Sequence, residues 1–239
     1  MLIYGKNPIY EAIRSGQKID KLFLLRKKLN TYNSIITEAK NHKIGIEIVD
    51  DIFFQRKLKN SLHQGIAAVI KSIRTVLYNL DFDKIEFLVI ADSITDPMNL
   101  GSIVRSSLLF NAEGIIIPEH NSSGITSAVI KSSSGAVFHQ KIFMVKNLRN
   151  AIKRLKSEGF WIYGLDMGNN LLIHNAKIEK SDRVAIIIGS EGKGMHRIVK
   201  ESCDFIVSIP TTEKIDSLNA STAASIAMWE IYKKKFLSS

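Results

Sequence analysis

Short, unbroken apolar runs limit the architecture of this chain more than any other feature. Phe87–Ala91 (FLVIA) and Val184–Ile188 (VAIII) each place five apolar residues in a row. A strand with one wet face alternates apolar and polar residues. An uninterrupted run of this length fits a strand covered on both faces, as in a parallel sheet flanked by helices. Similar runs at 114–117, 160–165 and 205–209 leave room between them for amphipathic helices. Leu148–Lys156, with Leu148, Ile152 and Leu155 on one face, is one such helix, and Ser221–Phe236 is another. The alternation predicts the α/β class, with a mostly parallel sheet and helices on both faces.

The first seventy residues carry shorter signals. Leu2-Ile3-Tyr4, Leu22–Leu25 and Ile66–Ile70 read as strands, as does the alternation Ile44, Ile46, Ile48. Asn7-Pro8 opens a helix through Ala12 and Ile13, and Ile35, Ile36 and Ala39 mark a second. This predicts a small N-terminal α/β domain over 1–72, a linker over 73–84 and a larger domain over 85–239. Charge follows the same division. The chain carries a net +10. Up to Arg74 there are 14 Lys and Arg against 6 Asp and Glu; the remainder has 19 against 17. A basic module beside a nearly neutral one points to an acidic partner, nucleic acid first.

Several classes are disfavoured. Cys203 is the sole cysteine, which rules out an intrachain disulfide, fits a reducing, cytoplasmic setting and reads as a bystander rather than a nucleophile. The six histidines lack metal-ligand spacing, so no metal site is expected. No apolar run approaches membrane-spanning length. Lys233-Lys234-Lys235 reads as a solvated run matched to a helix C-terminus.

In open α/β sheets, ligands bind beyond the carboxyl ends of the strands. Three segments lie there. After 87–91 comes Asp96-Pro97-Met98-Asn99-Leu100-Gly101, with Arg105 further on. Asn99 is placed to cap a helix or to face a ligand. After 184–188 comes Gly189-Ser190-Glu191-Gly192-Lys193-Gly194. It fails the phosphate-loop pattern, because Gly194 stands where Ser or Thr is needed, and a glutamate repels a triphosphate. After 205–209 come Pro210, Ser217 and Asn219, before an alanine-rich helix that either polar residue could cap.

Taken together, these residues resemble the three motifs of the SpoU (TrmH-type) 2'-O-ribose RNA methyltransferases. Asp96–Gly101 with Arg105 is similar to motif 1. Ile188–Gly194 is similar to motif 2, and Ile209-Pro210 with Ser217–Ser221 to motif 3. Ile3–Pro8 and His63–Ile66 are similar to the L30e-like RNA-binding domain of the RlmB-type members. The resemblance implies S-adenosylmethionine as methyl donor, a homodimer formed through the C-terminal domain, and a deep trefoil knot that connectivity rules alone argue against. It implies 23S rRNA as partner, with a guanosine of the peptidyl-transferase loop as target. By the same resemblance, Asn99, Arg105, Glu191, Ser217 and Asn219 surround the reacting ribose. Glu191 would orient Asn99 or Arg105, while Gly189, Ile209 and Leu218 hold the donor. Thr211, Glu213, Met195 and Phe138 depart from the family pattern.

Guanidinium stays protonated in proteins, so Arg105 suits gripping a phosphate better than acting as a base. Lys27, Lys28, Arg56, Lys57 and Lys59 are the candidate rRNA contacts. Other readings are the same chemistry on a tRNA guanosine or a 23S adenosine, and a non-catalytic ribosome-assembly factor.

Overall fold

Seven elements make the first unit: β1 (Leu2–Tyr4), α1 (Lys6–Arg14), β2 (Ile19–Leu25), α2 (Asn33–Asn41), β3 (Ile46–Val49), α3 (Asp51–Leu58) and β4 (Ile66–Ile70). The sheet order is β1-β4-β2-β3, with β2 and β3 parallel and the other pairings antiparallel. The computed structural model describes residues 1–59, 62–73, 76–77, 85–212 and 217–237. Ile44, Ile46 and Ile48 alternate as read, but on edge strand β3 it is Val49 that is buried, while Ile48 is exposed.

The second unit contains β5 (Val76–Leu77), β6 (Phe87–Ala91), α4 (Pro97–Leu109), β7 (Gly114–Pro118), α5 (Ser127–Ser132), β8 (Ile142–Val145) and α6 (Leu148–Ser157). It continues through β9 (Phe160–Leu165), β10 (Arg183–Ile188), α7 (Arg197–Lys200), β11 (Phe205–Val207) and α8 (Ala220–Tyr232). Its seven strands run in the order β11-β9-β10-β6-β7-β8-β5, every pairing parallel. β5 falls inside the segment expected to be a linker; it pairs with β8 at the sheet edge.

The unbroken apolar runs are explained by a strict division between two cores. Phe87, Val89 and Ala91 pack with α4 and α8, as do Val184, Ile186 and Ile188. Leu88, Ile90, Ala185 and Ile187 pack on the other face with Leu148, Ile152 and Leu155 of α6. Successive strand side chains point to opposite faces, so a sheet covered twice needs apolar residues at every position.

The first core is shared between the units. Ile3, Ile9, Leu22 and Ile66 belong to the same cluster as Val129, Ile130 and Val137. The loop after α5 seats itself on α1. Gly135 sits at φ +89, and a Cβ there would lie 2.8 Å from Glu11 Cβ and 3.0 Å from Pro8 Cα. His139 Nε2 meets Glu11 Oε2 at 2.8 Å. The Lys131 ammonium donates to Gln64 Oε1 at 3.4 Å and lies 5.9 Å from the Tyr4 ring centroid; burial lowers its pKa. The Tyr4-Gly5 and His63-Gln64-Gly65 signatures therefore sit at the seam between the units. His63 itself stacks on Phe54, and its Nδ1 accepts from the Gly65 N–H.

The lysine run is not simply solvated. Lys235 is 4% exposed and donates to the carbonyls of Lys180 and Asp182, while Lys234 donates to the carbonyl of His174. A buried ammonium is tolerable only with such partners. They tie the turn that follows α8 to the segment before β10.

Candidate functional site

The strand order reverses between β6 and β10: β7 and β8 extend the sheet from β6, and β9 and β11 extend it from β10. The chains leaving β6 and β10 diverge there and open a crevice, the usual ligand position in such sheets. The loop after β6 brings Asn99, and that after β10 brings Glu191. The approach to α8 brings Ser217 and Asn219.

Asn99 does not cap α4. Asp96 does, its carboxylate accepting from the N–H groups of Met98 and Asn99 at 3.0 and 3.4 Å. Pro97 at the first helical position loses no hydrogen bond there. With capping assigned to Asp96, the Asn99 side chain is free to turn inward, and the residue is 7% exposed.

Asn219 joins the three loops. Its amide nitrogen donates to Asn99 Oδ1 at 2.9 Å and to Glu191 Oε1 at 2.5 Å. Its Oδ1 caps α8, accepting from Ser221 N at 2.9 Å and Thr222 N at 3.2 Å. One side chain is thus both helix cap and site residue. Glu191 reaches Asn99 only through Asn219. Arg105 stands apart: its guanidinium donates to Ser134 Oγ at 3.3 Å, and among the described residues it makes no hydrogen bond to Glu191, Asn99 or Asn219. Glu191 thus meets Asn99 through Asn219, and among the described residues it makes no hydrogen bond to Arg105. Six residues advance a helix by 600°, so Asn99 and Arg105 face different directions.

Two cavities flank this trio. The larger, about 570 Å³, is lined by Gly189, Ile209, Ser217 and Leu218 among others, with Glu191 at its border. The second, about 430 Å³, is lined by Asn99, Asp96, Ser93 and His196, and again by Glu191. Ser190 and Gly194 close the turn between them with paired backbone hydrogen bonds at 3.0 and 2.9 Å. Gly189 permits this closure: a Cβ there would lie 2.2 Å from Gly194 C. The larger cavity combines glycine and small polar residues with apolar Leu165, Met167, Ile188 and Leu218, and is of a size for a nucleoside-type ligand. Asp166 borders it and is paired with the Lys200 ammonium.

A further pair was not anticipated. Asp92, directly after β6, is 2% exposed. Its carboxylate accepts from His196 N at 2.7 Å, contacts His196 Nδ1 at 2.9 Å, and accepts from Ser93 Oγ at 3.1 Å. The available signal was an acid ending a buried strand. Burial pushes the Cys203 thiol up to about 12, which leaves it little thiolate near neutral pH. Met195, one of the departures, fills the second core, and Phe138 packs against the first. Thr211 lines the larger cavity, and Glu213 lies outside the described residues. Among the described residues there is no group of metal-ligating side chains, and no helix is long and apolar enough to cross a membrane.

The candidate rRNA contacts are all exposed. Lys27 and Lys28 follow β2; Arg56 and Lys57 lie in α3, with Lys59 just beyond it. Lys27 is paired with Asp51 at 2.8 Å.

Residues 86–229 match the family model described as the SpoU rRNA Methylase family. Residues 2–76 match the one described as RNA 2'-O ribose methyltransferase substrate binding. Proteins of Staphylococcus haemolyticus and Staphylococcus aureus, named for the TrmH family of tRNA/rRNA methyltransferases, are 36% identical over 98% of this chain and 96% of their own. The fold is similar to the SpoU methyltransferase AviRb from Streptomyces viridochromogenes in complex with AdoMet. The TM-score is 0.81 at 21% identity, covering 100% of this chain and 91% of that one. An rRNA methyltransferase from Sinorhizobium meliloti gives 0.80 at 20% identity, covering 99% and 88%.

Proposed function

This chain belongs to the SpoU rRNA methylase family, and we propose that it methylates the 2'-hydroxyl of a guanosine ribose in the peptidyl-transferase loop of 23S rRNA. The methyl-transfer part of this reading is carried by the Asn219 bridge, which holds Asn99 and Glu191 together between two cavities, while the 23S guanosine target rests on the motif resemblance. The larger cavity is of a size for S-adenosylmethionine, and the close approach of Gly189 to Gly194 closes the turn that walls it. Gly189, Ile209 and Leu218 would hold the donor, and when bound it supplies the methyl group. A hydroxyl must be presented to that group in line and must lose its proton. Asn99 would fix its direction, with Asn219 and Glu191 holding Asn99 in turn. Ser217, at the lip of the same cavity, would position the target nucleotide.

Arg105 would grip a phosphate beside the ribose and stabilise developing negative charge. Lys27, Lys28, Arg56, Lys57 and Lys59 would hold the rRNA backbone from the basic first unit, over 1–72. A homodimer through the second unit would cover the exposed Leu109, Trp229 and Phe236. Phe110 and Tyr232 lie against the same patch. The trefoil knot is proposed on the resemblance alone, and a cytoplasmic setting follows from a ribosomal substrate.

The test is a ribose-methylation map of rRNA from cells with and without this gene. The expected result is one 23S position that loses its methyl group when the gene is absent. An unchanged 23S map with a lost tRNA methyl group would transfer the same chemistry to tRNA. No transfer of tritiated methyl to any RNA would favour an assembly factor.

A further inference from the structure

We propose that the seam between the two units carries a phosphodiester site for the RNA substrate, formed by Lys131, Lys6 and the N-terminus of α1. The inference rests on the reading of the substrate as RNA. It starts from a charge in an unfavourable place. Lys131 lies in the last turn of α5, in the second unit, yet its half-buried side chain rests on the first. Its ammonium sits over Gly5, the N-cap of α1, so closely that a Cβ on Gly5 would collide with it. A helix N-terminus is the positive end of the helix dipole and favours anions. Here it meets a cation instead, with no acid in its first turn and no side-chain cap.

Among the described residues, no charge offsets this. The polar partners of the Lys131 ammonium are Gln64 Oε1 at 3.4 Å and the face of the Tyr4 ring. These leave most of an ammonium's donors vacant. Gln64 Oε1 is shared, since it also accepts from Lys6 N at 2.9 Å. Burial lowers the Lys131 pKa, as expected of a lysine with no anion beside it. Across β1, α1, α4, α5 and the turn at 63–65, Glu11 is the sole acid, and His139 holds it. Asp96, at the start of α4, is engaged as its cap. Among the described residues, Lys131, Lys6 and Arg105 form no ion pair. A phosphate is the group that a half-buried ammonium at an open helix N-terminus lacks.

The position fits the course of an RNA strand. Ser134 N donates to the Lys131 carbonyl at 3.1 Å, and Ser134 Oγ accepts from Arg105 at 3.3 Å. One turn of chain therefore carries Lys131 and steadies Arg105. The packing of Gly135 on α1 and the His139–Glu11 pair fix that turn against the first unit. A strand gripped by Arg105 beside its reacting ribose reaches the basic first unit across this seam. Lys131 meets a phosphate on the crossing, with exposed Lys6 and Asn7 at the edge of the site.

The experiment measures binding of 23S rRNA to the full-length protein and to two variants over a range of salt, together with Tm of the free proteins. Lys131→Gln keeps a donor for Gln64 and removes the charge. It is expected to weaken RNA binding about tenfold and to reduce the slope of log affinity against log salt by about 1. Its Tm should not fall, because an unfavourable charge has gone. Asn7→Asp puts an acid into the first turn of α1 and supplies the missing anion from the chain itself. It should raise Tm and weaken RNA binding. A folded Lys131→Gln protein with unchanged RNA affinity and salt slope would overturn the proposal, leaving Lys131 as a tie between the units. Should that variant not fold, Asn7→Asp decides: unchanged RNA affinity overturns the site, and weakened affinity supports it. The failure of the functional reading is separate: it would appear as wild-type protein that binds no RNA.

Discussion

The Asn219 side chain leaves none of its hydrogen-bonding groups idle. Its nitrogen holds Asn99 and Glu191, and its oxygen holds the first turn of α8. The two tasks can be separated experimentally. Asn219→Asp keeps a capping oxygen of equal quality but puts a carboxylate oxygen against Glu191 and Asn99 Oδ1. Far-UV circular dichroism should be unchanged, while methyl transfer should fall about 100-fold, the scale at which a lost polar contact in a reacting site is felt. Wild-type transfer would show the bridge to be dispensable. Arg105→Lys keeps the charge and removes the planar fork. It should raise the KM for RNA about tenfold, and near-wild-type kinetics would count against bidentate gripping. Cys203 gives a third expectation. Its thiol, pushed up to about 12 by burial, has almost no thiolate at pH 8. Native protein should resist iodoacetamide at that pH, and urea-unfolded protein should react.

At the scale of elements, the Gly189–Gly194 turn stands between two cavities and serves both. Gly189→Ala would drive a Cβ to 2.2 Å from Gly194 C and force the turn open. Wild-type protein at a hundredfold excess of S-adenosylmethionine over its Kd gains about 2.7 kcal/mol, worth roughly 5–10 °C in Tm at this size. Gly189→Ala should show no such shift. An equal shift would mean that the turn does not shape the donor cavity. The strands β6, β7 and β10 were legible in the sequence because double burial writes itself as unbroken apolar residues. Helix α5 was not: at six residues it is too short to show a period. The choice between capping and facing a ligand stayed open for Asn99 because Asp96 and Asn99 are both good capping residues three positions apart; only the backbone decides between them. Lys233–Lys235 looked like a solvated run because no local pattern reveals that carbonyls near residue 180 wait for it. The Asp92–His196 pair, 104 residues apart, has no local signature either.

At the scale of the molecule, the two sheets share one apolar cluster. The seam adds the His139–Glu11 pair and the close packing of Gly135 on α1. Calorimetry of the full chain should therefore show one cooperative transition, with calorimetric and van't Hoff enthalpies equal. Two resolved transitions would show that the units unfold separately. The shared core also makes point variants in the basic unit better probes of RNA binding than its deletion, which would bare the face formed by Val129, Ile130 and Val137. The Asn219 bridge has a consequence in time as well. Asn99, Glu191 and Asn219 leave the ribosome in that order, and the last closes the constellation only when α8 has formed behind it. A growing chain thus passes through a stage, between Gly194 and Tyr232, in which both glycine turn and arginine are present yet the site stands open. Competence arrives with α8, so a copy made only as far as the glycine turn has no assembled centre to offer an RNA.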